Sequence, residues 1–329
     1  MKTSFFTLFI SALLLLASCA RPAQYRRAEG GVWNTTYHIV YKADRDLRDS
    51  IITVMKQVEM SLSPFAKTSL ISRINRNEEG VAADSLLRRI FTESQRINRI
   101  SGGAFDPTVA PLVNLWGFGY KNGQPDYEPG QRQIDSLLEL VGIMDCGISP
   151  EGVISKKRPG TEFNFSAITK GYGVDLVGEM LARNGASDYM VEIGGEIVTR
   201  GKSPRMHPWS VAIDAPVRND TAPVHERLAT VRLTDAAIAT SGNYRNYRTT
   251  SHGLVWHTIS PSTGRPAHTD ILSATVIAPD CMTADALATS CMAMYADSAI
   301  SMIESVSGAE ALLVVGDSTV TTSGFPELY

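Results

Sequence analysis

Hydrophobic and polar positions follow two periods along this chain. From Trp33 to Tyr41 (WNTTYHIVY) the pattern alternates and is rich in β-branched and aromatic residues, which predicts a strand. Leu47 to Leu62 and Asp84 to Ile100 repeat at helical spacing instead, with Asp84 and Ser85 placed to cap the second helix. Ser101-Gly102-Gly103 then stops it, because glycine takes the left-handed end conformation without strain. Further helices are predicted from Gln131 to Val141, from Lys170 to Asn184 with Gly185 as the stop, and from Thr283 to Tyr295. Strands are predicted from Tyr189 to Ile193, Ser210 to Ile213, Ala229 to Leu233 and Leu272 to Ile277. A hairpin around Gly316-Asp317 is predicted to join Ala311 to Val315 and Ser318 to Thr322. Asn122 to Pro129 and Pro216 to Pro223 read as polar loops. Strands thus cluster without a steady β-α-β alternation, so the expected class is α+β with mainly antiparallel sheet and packed helices. No glycine fingerprint follows a first strand, so a dinucleotide site of the Rossmann kind has no support.

The first residues break this pattern. Lys2 precedes an apolar run from Phe5 to Ala17 that is too short to span a membrane and fits a signal peptide. It ends in Leu16-Ala17-Ser18-Cys19, the arrangement of a bacterial lipobox, which predicts a signal peptide over 1–18 and a lipid on Cys19. Residues 19–30 then read as a lipidated tether and 31–329 as the folded domain, held at a cell membrane on its periplasmic side. Composition adds limits. With 43% hydrophobic residues a sizeable core can form, and a net charge of -3 without a basic block does not suit a nucleic-acid partner. Cys146, Cys281 and Cys291 are an odd number with no zinc-type spacing, so neither a disulfide framework nor a structural zinc site is expected.

Five segments carry chemistry. Asp285-Ala-Leu-Ala-Thr289 puts a carboxylate and a hydroxyl on one helix face, where both can reach a hard cation such as Mg²⁺; helix capping is the other use of such an Asp. Asn164 to Asp175 (NFSAITKGYGVD) sets Lys170 and Gly171 at an expected helix start, which suits a phosphate, and its close-set Gly171 and Gly173 imply a close approach. Gly103 to Gly119 (GAFDPTVAPLVNLWGFG) can wall a ring system with Asp106 as polar anchor, or pack on the core. Gly194-Gly195 at a strand end lets backbone approach a ligand or simply turns. Finally Thr240-Ser-Gly precedes a loop from Trp256 to Pro266 that contains His257.

In their order along the chain, and together with Ser63 to Asn75 (SPFAKTSLISRIN), these segments resemble the FAD:protein FMN transferase (ApbE-like) family from about residue 31 to the end. The resemblance implies a T-fold-type α+β architecture and an enzyme that moves the FMN moiety of FAD to a Thr hydroxyl of a target protein, releasing AMP. Mg²⁺ would be held by the Asp285 and Thr289 side chains and the Ala167 carbonyl. FAD would meet Trp33, Phe65, Ala104, Phe105, Asp106, Asn164, Lys170 and Ile259. His257 is the candidate for proton transfer at the attacking hydroxyl. The implied partner is an acceptor bearing a flavinylation-type Thr, a membrane redox-complex subunit.

The chain departs from the family pattern at three places. Asn164 replaces the more usual Asp, Ser260 stands where an Asp-Pro pair is usual, and Trp33-Asn34 replaces Met-Gly. Asn still donates and accepts hydrogen bonds, so the changes bear on substrate preference and rate more than on fold. Hydrolysis of FAD to FMN and AMP, a flavin-binding lipoprotein without chemistry, and an adhesion lipoprotein remain as other readings.

Overall fold

The chain is built on an eight-stranded, wholly antiparallel sheet, seen in a computed structural model that describes residues 23–121, 128–217, 226–244, 246–250 and 253–329. The expected signal peptide 1–18 and Cys19 lie outside the described residues, as do 122–127 and 218–223 of the two expected loops. Among the described residues no helix is long and apolar enough to cross a membrane.

Strands in chain order are β1 (Gln24–Val32), β2 (Thr35–Ala43), β3 (Gly147–Ile148), β4 (Ile154–Ser155), β5 (Tyr189–Ile193), β6 (Glu196–Arg200) and β7 (Trp209–Asp214). They continue as β8 (Arg227–Leu233), β9 (Ala237–Gly242), β10 (Tyr247–Thr250), β11 (Gly253–Trp256), β12 (Ile271–Ala278), β13 (Glu310–Val315) and β14 (Ser318–Thr321). The helices are α1 (Arg48–Leu62), α2 (Leu70–Asn75), α3 (Ser85–Ile100), α4 (Ala110–Leu115), α5 (Gln131–Leu138), α6 (Ser166–Arg183), α7 (Cys281–Cys291) and α8 (Ala296–Glu304).

The main sheet runs β1-β2-β5-β6-β9-β12-β13-β14, and three hairpins, β3-β4, β7-β8 and β10-β11, stand outside it. Its centre is covered on both faces. In β12, Ala274, Val276 and Ala278 turn to the core shared with α3, α6 and α7, while Ile277 meets Val211 and Val231 of the β7-β8 hairpin. That explains why β12 is almost continuously apolar where β2 alternates. In β2 the inward Tyr37, Ile39 and Tyr41 pack on α1 and α6 through Ile51, Met55 and Val177. Each such buried aliphatic side chain contributes roughly 1.5–3 kcal/mol.

The α+β class and the antiparallel sheet agree with the sequence reading, while several boundaries change. The tether does not reach residue 30, because Gln24–Val32 forms β1 and pairs along its length with β2. Its polar sequence hid the strand, since only Ala28 is buried and backbone pairing does the rest. Trp33 and Asn34 leave the expected strand and form its hairpin turn, both with positive φ. The helix expected to start at Lys170 starts at Ser166, as the inward Ile168 and Tyr172 extend its apolar face. The helix expected from Thr283 to Tyr295 is α7, Cys281–Cys291, after which Tyr295 precedes the separate α8.

Candidate active site

Helices α6 and α7 meet at a glycine. A methyl group on Gly171 of α6 would stand 2.2 Å from the Cys281 carbonyl oxygen at the start of α7, so only glycine allows this approach. Gly173, one turn-half further on, faces the indole of Trp33, 2.3 Å from where its own methyl would be. The close pair expected from the sequence is therefore used on both sides of α6. The approach brings Asp285 of α7 onto α6, where its Oδ2 accepts the Gly171 N–H at 2.9 Å. In a regular helix that N–H points to the carbonyl of Ala167, so the carboxylate and this carbonyl share one location.

Lys170 lies beside this carboxylate and pairs with Glu196 at the start of β6. Glu196 and Asp285 are both buried, and Glu196 Oε2 has no hydrogen-bond partner among the described residues. Burial by itself depresses the Lys170 ammonium, but the two carboxylates outweigh it and hold its pKa above the ordinary value. Burial raises Glu196 to about 7, with repulsion from Asp285 adding and Lys170 opposing. Burial raises Asp285 too, against the pull of Lys170 and the Gly171 amide. The result is a cluster of one partly exposed cation and two buried carboxylates. Across from it, Thr289 Oγ1 stands 3.2 Å from Ser241 Oγ at the end of β9. Asp285, Thr289 and the Ala167 carbonyl thus offer oxygen only, a donor set for a hard cation. Among the described residues no three His, Cys, Asp or Glu side chains form a ready-made metal cage.

The loop before α4 approaches the start of α6 through one backbone bond, Asn164 N–H to the Pro107 carbonyl at 2.9 Å. Asn164 Oδ1 then accepts from Ser166 N at 3.0 Å and Ser166 Oγ at 2.6 Å, fixing the entry into the helix. Asp106 is committed to the protein. It accepts from Thr108 N (2.8 Å), Thr108 Oγ1 (2.5 Å) and Ile143 N (3.0 Å). Burial still raises its pKa despite these donors. These bonds make Asp106 the tie that holds its loop. Phe105 and Ile259 are likewise turned inward, the first into the main core, the second against Leu112 and Trp116. At these positions only backbone remains to meet a ligand, whereas Ala104 is half-buried.

Phe65 is 65% exposed and meets Tyr120 edge-on at 6.2 Å. Asn75 links that pair to the Asn164 turn, donating to Tyr120 OH (3.4 Å) and the Phe163 carbonyl (2.8 Å). His257 is held from its backbone side, Nδ1 lying 3.0 Å from the Asn246 carbonyl. A carbonyl only accepts, so Nδ1 carries the proton and Nε2 is left basic. Burial lowers its pKa, and the Lys170 charge lowers it further. His257 and Lys170 are therefore electrostatically in touch.

Three residues of this arrangement were not expected from sequence. Glu196 was visible only as the residue after a glycine turn, and nothing local marks it as the partner of Lys170. Ser241 entered only as the middle of Thr240-Ser-Gly, and it sits in β9 beside Thr289. Asp175 accepts from Cys281 N and Met282 N at 2.8 Å each and so caps α7 from outside, together with Asp280 at the helix's own N-cap.

The sequence model described as the ApbE family matches residues 33–313. A FAD:protein FMN transferase of Vibrio cholerae is 37% identical over 303 residues, which cover 90% of this chain and 89% of that protein. One of Haemophilus influenzae is 33% identical over 337 residues, covering 97% and 96%. The solved flavin transferase ApbE from Vibrio cholerae superposes with a TM-score of 0.81 at 34% identity, over 92% of this chain and 99% of that one.

Proposed function

The chain belongs to the ApbE family, and we propose that it is a FAD:protein FMN transferase that moves FMN from FAD to a threonine hydroxyl of an acceptor protein, releasing AMP. The observation that carries this reading is the Lys170–Glu196–Asp285 cluster at the α6–α7 crossing, with both carboxylates buried and the ammonium partly exposed. A fixed positive charge beside a desolvated carboxylate suits a pyrophosphate and its counter-ion, and suits an apolar ligand far less.

The oxygens at this crossing fit Mg²⁺. Asp285 is buried with one oxygen on an amide and the other without a hydrogen bond among the described residues, so a cation there relieves the cost of its charge. Asp285, Thr289 and the Ala167 carbonyl would hold the ion, which when bound neutralises charge on the pyrophosphate. Lys170 adds a second positive contact to the phosphate oxygens, and Glu196 keeps its ammonium in place. The neutral imidazole of His257 takes the proton from the acceptor threonine at Nε2. The threonine oxygen forms its bond to the FMN-side phosphorus as the bond to the AMP oxygen breaks, and AMP leaves with that electron pair. Alignment of these groups supplies much of the acceleration. Trp33, Phe65, Ala104 and Asn164 are assigned to the flavin nucleotide. The lipid on Cys19, the periplasmic face of a membrane and an acceptor in a membrane redox complex complete the reading.

The test mixes protein beginning at residue 20 with FAD, Mg²⁺ and an acceptor peptide bearing a Thr. The expected result is an FMN-sized gain in peptide mass, with AMP release, that EDTA or Asp285→Ala removes. AMP without any gain in mass over a range of acceptor peptides would replace the transferase by a hydrolase.

A further inference from the structure

The reacting cluster and the start of β1 lie at opposite ends of the same elements. Lys170 is in the second turn of α6, and the helix ends at Arg183, about 20 Å further along at 1.5 Å per residue. Glu196 begins β6 and Arg200 ends it. At that far end β1 begins. Tyr25 OH donates to the carbonyls of Lys202 (2.8 Å) and Ser203 (3.2 Å), which ties the first strand to the 201–208 turn. Arg26 donates to the Ala43 and Asp44 carbonyls at 3.3 Å each, and Arg45 to Asn184 at 2.7 Å, so the β2–α1 turn and the end of α6 join the same pole.

This pole is basic in a chain that is acidic as a whole. Segments 24–26, 42–47, 183–188, 200–208 and 234–236 hold seven Lys and Arg against four Asp, an excess of three positive charges, whereas the chain totals -3. At its tip residues 204–208 are all exposed, and Met206 is 61% exposed with a φ of 62°. A non-glycine residue in that conformation, carrying an apolar side chain into solvent between Arg205 and His207, has no packing reason in the protein itself.

We propose that this pole is the face laid on an anionic phospholipid bilayer, with Met206 entering the headgroup region and Lys202 and Arg205 meeting the lipid phosphates. The proposal rests on the Cys19 anchor given above. From Cys19 to Gln24 is five residues, a reach of at most about 18 Å, so an anchored domain has this end and no other against the membrane. An amphipathic tip with basic flanks is the composition that seats at such an interface, and each Lys or Arg near an anionic surface adds about fivefold to binding. The consequence for function is orientation: the cluster at Lys170 faces away from the bilayer, and an acceptor must present its threonine about 20 Å or more above the surface.

The test uses the full lipidated chain in vesicles of phosphatidylethanolamine and phosphatidylglycerol. Met206→Cys and, as a control at the far end of α1, Met60→Cys, which is 50% exposed, each carry an environment-sensitive dye. The other cysteines of the folded domain are buried and stay unlabelled. Flotation with the vesicles reports the anchor, and the contrast between the dyes reports the pole. The expected result is blue-shifted emission and quenching by brominated lipid at 206 but not at 60, with the contrast weakened by K202E with R205E or by phosphatidylcholine vesicles. Vesicle-bound protein with equal, water-like emission at both sites overturns the docking face while leaving the anchor intact. So does a dye at 206 that is shielded only when acceptor protein is added, which would make the pole a protein-docking surface. Failure of the lipidated chain to float overturns the anchor and the proposal with it.

Discussion

Lys170 has the buried Glu196 and Asp285 beside it, so removing any one of the three changes the balance for the other two. Glu196→Gln keeps a hydrogen-bonding group but not the charge, and transfer is expected to slow with folding largely retained. Glu196→Ala is expected to lose about 3 kcal/mol of stability as well, the low end for breaking a buried pair, because Lys170 keeps Asp285 and reaches solvent. Denaturant titration beside the peptide assay separates the two effects, and a Gln variant as fast as the parent would remove Glu196 from the site. For His257→Ala the expected loss is about 10²–10⁴-fold in the transfer rate with FAD binding unchanged, as befits one general base. An unchanged rate would assign the proton elsewhere. Lys170, Asp285 and Thr289 were legible because their spacing keeps them within one short helical segment each. Glu196 was not, since an ion pair between a helix and a later strand leaves no local pattern in either. Asp106 stood out because its loop is conspicuous in sequence, and its carboxylate holds that loop.

Between elements, the α6–α7 crossing decides where these residues stand. Gly171→Ala puts a methyl group on the Cys281 carbonyl, which is backbone and yields little. The helices are expected to part, at about 1–3 kcal/mol for overpacking, and Asp285 to lose the Gly171 amide. Transfer should fall by more than the stability loss accounts for, and the apparent affinity for Mg²⁺ should weaken in the same variant. The other joint of this crossing titrates. Burial raises Asp175 to about 7, against the pull of the Cys281 and Met282 amides. A carboxyl whose folded pKa exceeds its unfolded value contributes stability that is complete below the unfolded pKa of 3.8 and is lost as pH rises through about 7. Stability curves of the parent and Asp175→Asn are therefore expected to diverge between those limits, the parent losing about 1.4 kcal/mol per unit relative to the variant. Parallel curves would show that the two amides already hold the ionised form. At this scale the sequence was informative wherever a face was amphipathic, as in α1 and α3. It was misleading where a helix was buried on several sides, as at both ends of α7.

For the whole molecule, the question is where the folded unit begins. The sequence reading placed its start at residue 31, because Gln24 to Val32 has no alternating apolar face and looks like part of a polar tether. In the fold those residues are the outermost strand of the sheet, and their pairing is with backbone, which composition does not reveal. The antiparallel class was legible in the hairpin turns, such as Gly194-Gly195 and Gly316-Asp317, since turns are local. The order of strands was not, because β6 to β9 and β9 to β12 join segments far apart in sequence. A protein begun at residue 34 therefore exposes one edge of β2 along its whole length, with Tyr37 losing the cover of β1 and Trp33 lost from against Gly173. An open edge of this kind invites pairing with a second chain. The expected outcome is a lower melting temperature and concentration-dependent association in sedimentation, both absent when the chain begins at residue 23. FAD with Mg²⁺ should restore little of the loss, since ligand linkage at the Lys170 end adds stability without re-forming the missing edge. A monomeric, equally stable protein from residue 34 would mean that β1 is dispensable, and the tether would then extend to the first turn.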